Sequence, residues 1–246
     1  MDREPLLELA DRALAACNRL LGRQPPDGRR TPPEYCTPTD TAALLATPVD
    51  AARYVVIDTE TTGFGAYAGD EIVQIALLEY RGLEPTGQEY CTLVRPARPI
   101  PATATEIHGI DDNMVKDAPT IGDVIDDVLE FLGAAALVGH HLAFDLRFLN
   151  RVLQREFYCR LPQPTIDTML LYFARSGRLG HYELDEIAAA CRVPLAGRHD
   201  ARGDAVIAGR IFAHLAAPLA AADGTVGDLI AATRDGAART EPPPPA

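Results

Sequence analysis

Asp58 and Glu60 stand two residues apart at the end of the apolar run Tyr54-Val55-Val56-Ile57. In an extended strand, residues i and i+2 share a face. Both carboxylates therefore project together from the end of a strand that is otherwise buried. Two such anions repel each other, and burying them unpaired is costly. A divalent cation resolves the conflict, and an oxygen-only ligand set favours Mg²⁺ or Mn²⁺ over zinc. Taken alone, the pair also fits a solvated strand end. Thr61, Thr62 and Gly63 follow directly and offer hydroxyls and close backbone approach to a ligand. Phe64 falls on the ensuing turn, where an aromatic ring beside a metal site can stack on a base; ordinary packing is the other reading.

Two further segments carry chemistry. In Val138-Gly139-His140-His141-Leu142-Ala143-Phe144-Asp145 a short strand runs into a helix whose first turn holds Asp145. The helix dipole favours an acid there even without a task. In Gly197-Arg198-His199-Asp200-Ala201-Arg202-Gly203-Asp204, His199 and Asp204 are five residues apart, which on a helix separates them by about 140°. They can face one site if His199 lies in the preceding loop and Asp204 rises from the helix. A histidine near a metal-activated water is a natural general base.

The surrounding pattern supplies elements to position these groups. Tyr54–Ile57 reads as a buried strand, and Glu71–Tyr80 and Gln88–Val94 as two more, with Gly82, Pro85 and Gly87 marking the turn between them. Ala135–Gly139 is a short buried strand, and a fifth strand is expected near Gln163–Ile166. Apolar periodicity places helices over Ile121–Leu132, Phe144–Glu156, Asp167–Arg175, Leu184–Cys191 and Ala201–Leu215, and a short one over Thr41–Ala46. Strands first, then helices interleaved with a strand, fit a mixed sheet covered by helices. The core is expected between Arg53 and Pro218. Pro5–Leu21 reads as an amphipathic helix, residues 22–38 as a Pro-rich linker, and the final prolines as a disordered tail. The organisation expected is an N-terminal helix and linker over 1–50, a main domain over 51–218, and an Ala-rich segment with its tail over 219–246.

Bulk properties narrow the class. The chain has 246 residues, 47% hydrophobic and 24% charged, enough for one domain with a proper core. No apolar run is long enough to cross a bilayer, and no basic stretch leads into an apolar one at the N-terminus, so no membrane partner and a cytoplasmic location are expected. A net charge of −12 argues against a protein that coats nucleic acid through general phosphate attraction. It is compatible with an enzyme acting at a strand end, where a metal neutralises both the carboxylates and the phosphate. Cys17, Cys36, Cys91, Cys159 and Cys191 suggest neither a disulfide framework nor a zinc knuckle, and read as buried free thiols.

Together, Asp58-Thr59-Glu60-Thr61-Thr62-Gly63, Phe144-Asp145 and the His199…Asp204 pair resemble the DnaQ-like, or DEDDh, 3′–5′ exonucleases. The proofreading epsilon subunit of bacterial DNA polymerase III belongs there, as do ribonuclease T and oligoribonuclease. Ile107-His108-Gly109-Ile110 matches a family segment near the substrate's 3′ end, and Asp167-Thr168 a supporting pair. The resemblance spans residues 54–215. It implies an α/β, ribonuclease H-like fold: a mixed five-stranded sheet flanked by helices, here with an N-terminal helical extension. One departure is His141, where family members commonly carry Asn.

The resemblance further implies two Mg²⁺ or Mn²⁺ ions. Asp58 would bridge them, Glu60 and Asp204 would hold the ion that activates water, and Asp145 would support the second. His199 would take the proton from the attacking water, and nucleoside 5′-monophosphates would leave. Thr61, Thr62, Gly63, Phe64, His108 and His141 would lie at the substrate, the 3′ end of a single strand, most naturally DNA. RNA-directed exonucleases of the same family are the alternative. So is a catalytically inert module that binds a polymerase, although all five chemical positions are filled. Residues 5–21 are the expected surface for a polymerase or other protein partner.

Overall fold

The computed structural model describes residues 41–177 and 180–240. The expected helix over Pro5–Leu21, the linker over 22–38 and the C-terminal proline tail lie outside the described residues. Five strands form one mixed sheet: β1 (Arg53–Thr61), β2 (Ile72–Arg81), β3 (Glu84–Leu93), β4 (Ala136–Gly139) and β5 (Thr165–Asp167), in the order β3-β2-β1-β4-β5. β1 pairs antiparallel with β2, with Asp58 opposite Ala76 and Glu60 opposite Gln74. It pairs parallel with β4, which in turn pairs parallel with β5, Gly139 standing opposite Asp167. The C-terminal ends of β1, β4 and β5 thus come out on one edge of the sheet, the edge where open α/β sheets place ligands.

The helices are α1 (Thr41–Leu45), α2 (Ala102–His108), α3 (Asp112–Val115), α4 (Ile121–Leu132), α5 (Ala143–Glu156), α6 (Thr168–Ser176), α7 (Leu184–Cys191), α8 (Ala201–Ala220) and α9 (Val226–Thr240). They divide between the two faces of the sheet, and the alternation of β1 assigns its side chains to them. Tyr54 and Val56 pack into a core with Ile207, Ala208, Ile211 and Phe212 of α8, joined by α6, α7 and α9. Val55 and Ile57 pack on the other face with Val124, Ile125 and Val128 of α4 and Leu149 and Leu153 of α5. Fully burying one such side chain stabilises the fold by about 1.5–3 kcal/mol. The same alternation carries Asp58 and Glu60 to the α8 side and Thr59 to the α5 side.

Several elements differ from the sequence reading. β3 begins at Glu84 rather than Gln88 and includes Pro85 and Gly87, so the turn shrinks to the residues around Gly82 (φ 58°). An edge strand tolerates a proline because one side of its ladder is unpaired. Edge placement also leaves Cys91 exposed, against the expectation of buried thiols, which holds for Cys159 and Cys191. The short helices α2 and α3 carry too few residues for a periodic signal. α8 runs on to Ala220 through Pro218, which removes only one backbone donor near the helix end. The core also continues past Pro218. Val226, Leu229 and Ile230 of α9 are buried against the β1–α8 layer, and Thr225 and Asp228 cap the helix reciprocally through side-chain and backbone contacts of 2.8–3.3 Å. Among the described residues no helix is long and apolar enough to cross a membrane.

Candidate active site

Asp58, Glu60 and Asp204 converge at the edge formed by β1 and α8. Each offers a carboxylate oxygen, and the three oxygens lie within 4.8 Å of one another. Asp204 reaches the cluster from the first turn of α8, which is set onto the sheet by Gln74. The Gln74 Nε2 donates to Asp200 Oδ1 (2.7 Å), while its Oε1 accepts from the Ala201 backbone (3.0 Å). Asp200 also caps the helix, accepting from the Gly203 N–H at 3.1 Å. A Cβ at Gly203 would lie 1.8 Å from the Gly197 carbonyl oxygen, so only glycine lets the 197–200 loop fold back over the helix start. His199 sits in that loop with φ 62°, a left-handed conformation for which histidine is among the enriched residue types. Its backbone N–H points to Asp204 Oδ2 at 3.4 Å, and its imidazole is exposed. The loop-plus-helix arrangement expected from the five-residue spacing is therefore present.

Asp145 arrives from the other face, in the first turn of α5. It is buried, and its Oδ1 accepts from Thr59 Oγ1 at 2.7 Å. The turn before α5 is held by the Asp167-Thr168 pair. Asp167 Oδ2 accepts from the Leu142 N–H (2.9 Å), and its Oδ1 caps α6. Thr168 Oγ1 lies 3.1 Å from His140 Nδ1, and His140 Nε2 lies 3.1 Å from the Tyr182 carbonyl. A carbonyl only accepts, so His140 carries its proton on Nε2, and its Nδ1 accepts a hydrogen bond from the Thr168 hydroxyl. Burial depresses its pKa to about 3, with His141 acting in the same direction. His140 is thus a neutral brace.

The carboxylates all resist ionisation. Asp58 is raised well above its ordinary range, first by burial and then by Asp145, Asp204 and Glu60. Glu60 is raised to about 7 by burial and by Asp204 and Asp145. Asp145 is raised to about 7 by burial, which outweighs the Thr59 hydrogen bond. Asp204 is raised by burial although Arg198 opposes the shift. Its Oδ1 is buried without a hydrogen-bond partner among the described residues. Clustered, desolvated, oxygen-only donors with an unsatisfied buried oxygen fit a divalent cation.

Beside the carboxylates, a cavity of about 250 Å³ is lined by Glu60, Thr61, Thr62, Gly63 and Phe64 on one side and by Thr103, Ile107, His108 and Phe144 on the other. Phe64 is 76% exposed and contacts Phe144 edge-on, with centroids 6.1 Å apart. That exposure rules out the packing reading of Phe64. Asp70 builds the turn that presents it, accepting from Thr62 Oγ1 (3.1 Å) and the Gly65 N–H (3.0 Å). A Cβ on Gly63 would come within 2.5 Å of the same carboxylate. The threonine hydroxyls are committed to this turn: Thr61 donates to the Gly63 carbonyl (2.7 Å), and Thr62 also accepts from the Glu71 N–H (3.1 Å). His141 does not line the cavity. It adopts φ 53° and stacks on His181 with centroids 4.5 Å apart. Histidine is among the residue types enriched in this left-handed conformation.

Residues 55–212 match the exonuclease family designated RNase T. The chain belongs to this family. It is 39% identical over 180 residues to a DNA polymerase III subunit epsilon-like protein of Rhodobacter capsulatus; the match covers 71% of this chain and 25% of that protein. It is 33% identical to the DNA polymerase III subunit epsilon of Rickettsia felis, over 68% of this chain and 75% of the relative. In structure it is similar to Exonuclease X in complex with 5′-overhanging duplex DNA, with a TM-score of 0.56 and 26% identity, covering 72% of this chain and 99% of the other. This exonuclease is thus a nuclease hydrolase on a ribonuclease H-like sheet.

Sequence reasoning passed over Thr59, Asp70, Gln74 and Arg198. Gln74 had a signal, as the one polar residue in Ile72-Val73-Gln74-Ile75-Ala76-Leu77-Leu78. The partner of Thr59 is 86 positions away, whereas Asp70 and Arg198 meet Gly65, Thr62 and Asp204 within eight positions, through loop turns that carry no periodic signal.

Proposed function

We propose that this exonuclease removes nucleotides one at a time from the 3′ end of single-stranded DNA, with Mg²⁺ or Mn²⁺ held by Asp58, Glu60 and Asp204 and supported by Asp145. The observation that carries the reading is the cavity that opens directly from Glu60 and is walled by Phe64, Ile107 and Phe144. At about 250 Å³ it is smaller than the usual drug-sized pocket and suits a single terminal nucleoside. The bases upstream of it would remain outside.

The residues divide the work. Phe64 and Phe144 offer apolar ring surface to the terminal base and sugar. Asp58, Glu60 and Asp204, supported by Asp145, would hold the cations beside the cavity, and those ions would supply charge stabilisation to the attacking and leaving oxygens of the scissile phosphate. His199, exposed on its loop beside Asp204, accepts the proton of the attacking water, and a nucleoside 5′-monophosphate leaves. Buried His140 and the Asp167-Thr168 pair take no proton; they hold the turn that leads to Asp145.

DNA is favoured as substrate because the relatives named above are a polymerase subunit and an enzyme bound to DNA. Residues 5–21 remain our candidate surface for a polymerase or other protein partner. Matched DNA and RNA oligonucleotides carrying a 5′ label test the reading. A ladder shortening from the 3′ end, faster on DNA, supports it. Internal cuts, or no cuts with Mn²⁺ present, would overturn it.

A further inference from the structure

Four carboxylates meet at this site, and one guanidinium is set against them. The Nη1 of Arg198 donates to Asp204 Oδ2, and its Nε donates to Asp185 Oδ1 in the first turn of α7. Arg198 is the residue before His199, and its side chain is 22% exposed. Its charge also favours ionisation of Asp58 and Glu60, opposing the effect of burial. Asp204 is therefore claimed twice. It is one of the three residues converging on the candidate cation position, and it is the partner of Arg198. A divalent ion on Asp204 would repel the guanidinium and compete for the same carboxylate.

Building on the reading of the site as a cation site, we propose that Arg198 is its internal counter-ion. It holds Asp204 when no divalent ion is bound, and it yields Asp204 on metal binding while staying tethered to Asp185. The planar fork of arginine makes this division feasible, because separate N–H groups face the two carboxylates. Arg198 thereby stabilises the cluster without metal and weakens metal affinity. Its tether to Asp185 holds the loop that carries His199 in either state.

The test uses the full chain. Mn²⁺ binding is measured by titration calorimetry for wild type, Arg198→Gln and Arg198→Lys, and melting temperature is measured in EDTA and in Mn²⁺. The glutamine variant is expected to bind Mn²⁺ roughly threefold or more tighter, the scale of one partly exposed ion pair. It should melt lower in EDTA and gain more on metal addition; the lysine variant, which keeps the charge, should stay near wild type. Should the glutamine variant fail to fold, the wild-type Arg198 Nε–H resonance is followed by NMR during Mg²⁺ titration, and it should shift with the midpoint of metal binding. Unchanged or weaker Mn²⁺ affinity in the glutamine variant, or a resonance that ignores the metal, overturns the proposal. If wild type binds and cuts normally in that case, the counter-ion role alone has failed. If wild type neither binds Mn²⁺ nor degrades DNA, the cation-site reading falls, and this proposal falls with it.

Discussion

Thr59 donates a hydrogen bond from Oγ1 to Asp145 Oδ1 at 2.7 Å, joining residues 86 positions apart. Thr59 lies between Asp58 and Glu60 and faces the opposite side of the sheet. One strand thus supplies two site carboxylates on one face and the anchor for a third on the other. Thr59→Val keeps the shape and removes the donor. We expect a destabilisation of about 1 kcal/mol, the net worth of a typical hydrogen bond. We also expect kcat to fall roughly tenfold, because a misplaced group costs about that or more. Denaturant unfolding and steady-state kinetics check this. Unchanged kcat with lowered stability would show that Thr59 serves packing only.

The raised carboxyl pKa values have a consequence for stability. Glu60 moves from 4.5 to about 7 on folding. Between those values the folded chain binds a proton that the unfolded chain has released, so stability falls as pH rises through the window. His140, kept neutral by burial, works in the opposite direction, and a difference measurement cancels it. In EDTA, Glu60→Gln should gain stability relative to wild type as pH rises from about 4.5 to about 7. Melting curves at pH steps across that range test the sign. A difference that stays constant, or grows in favour of wild type, contradicts the assignment.

Phe64 is exposed and borders the cavity, so its replacement should be felt by substrate more than by the fold. Phe64→Ala is expected to weaken binding of a short oligonucleotide by about 1–3 kcal/mol, the range for base–aromatic stacking. Melting temperature should stay close to wild type. Oligonucleotide affinity in Ca²⁺ and thermal melting decide between the roles, and a large loss of stability with unchanged affinity would refute stacking.

For His199 the expected signature is a loss of rate without a loss of metal. His199→Ala should lower kcat by about 10²–10⁴, the worth of a positioned acid–base group. Mn²⁺ affinity by calorimetry should persist, since the ring is not among the converging ligands. A variant with near-normal kcat, or one that loses metal binding, would remove His199 from the role of base.

Much of this site was legible in the sequence because strand and helix geometry are local. The two-residue spacing of Asp58 and Glu60 fixed a shared face, and the five-residue spacing of His199 and Asp204 required a loop before a helix. Those inferences needed no knowledge of the tertiary fold. What escaped was non-local or concerned side-chain commitment. Thr61 and Thr62 looked like ligand hydroxyls, yet they are spent on the turn through Gly63, Asp70 and Glu71. His141 looked like a substrate contact, yet its left-handed backbone and its stacking on His181 place it outside the cavity. α9 lies in the stretch expected to be Ala-rich, and its apolar stripe of Val226, Leu229 and Ile230 is too short to stand out as a helical period. Only the packed core shows what that stripe covers.

The most direct test of the central claim is degradation of a 5′-labelled single-stranded DNA oligonucleotide by wild type and Asp58→Ala, each with Mn²⁺ and with excess EDTA. Asp58 sits where burial and three neighbouring carboxylates press on it, so removing it should leave the chain folded and no less stable without metal. The expected result is a 3′-shortening ladder for wild type with Mn²⁺ alone, and no product in the other three reactions. Full activity in EDTA, or an Asp58→Ala variant that shortens the strand at the wild-type rate, would contradict a carboxylate-held cation as the centre of this enzyme's chemistry.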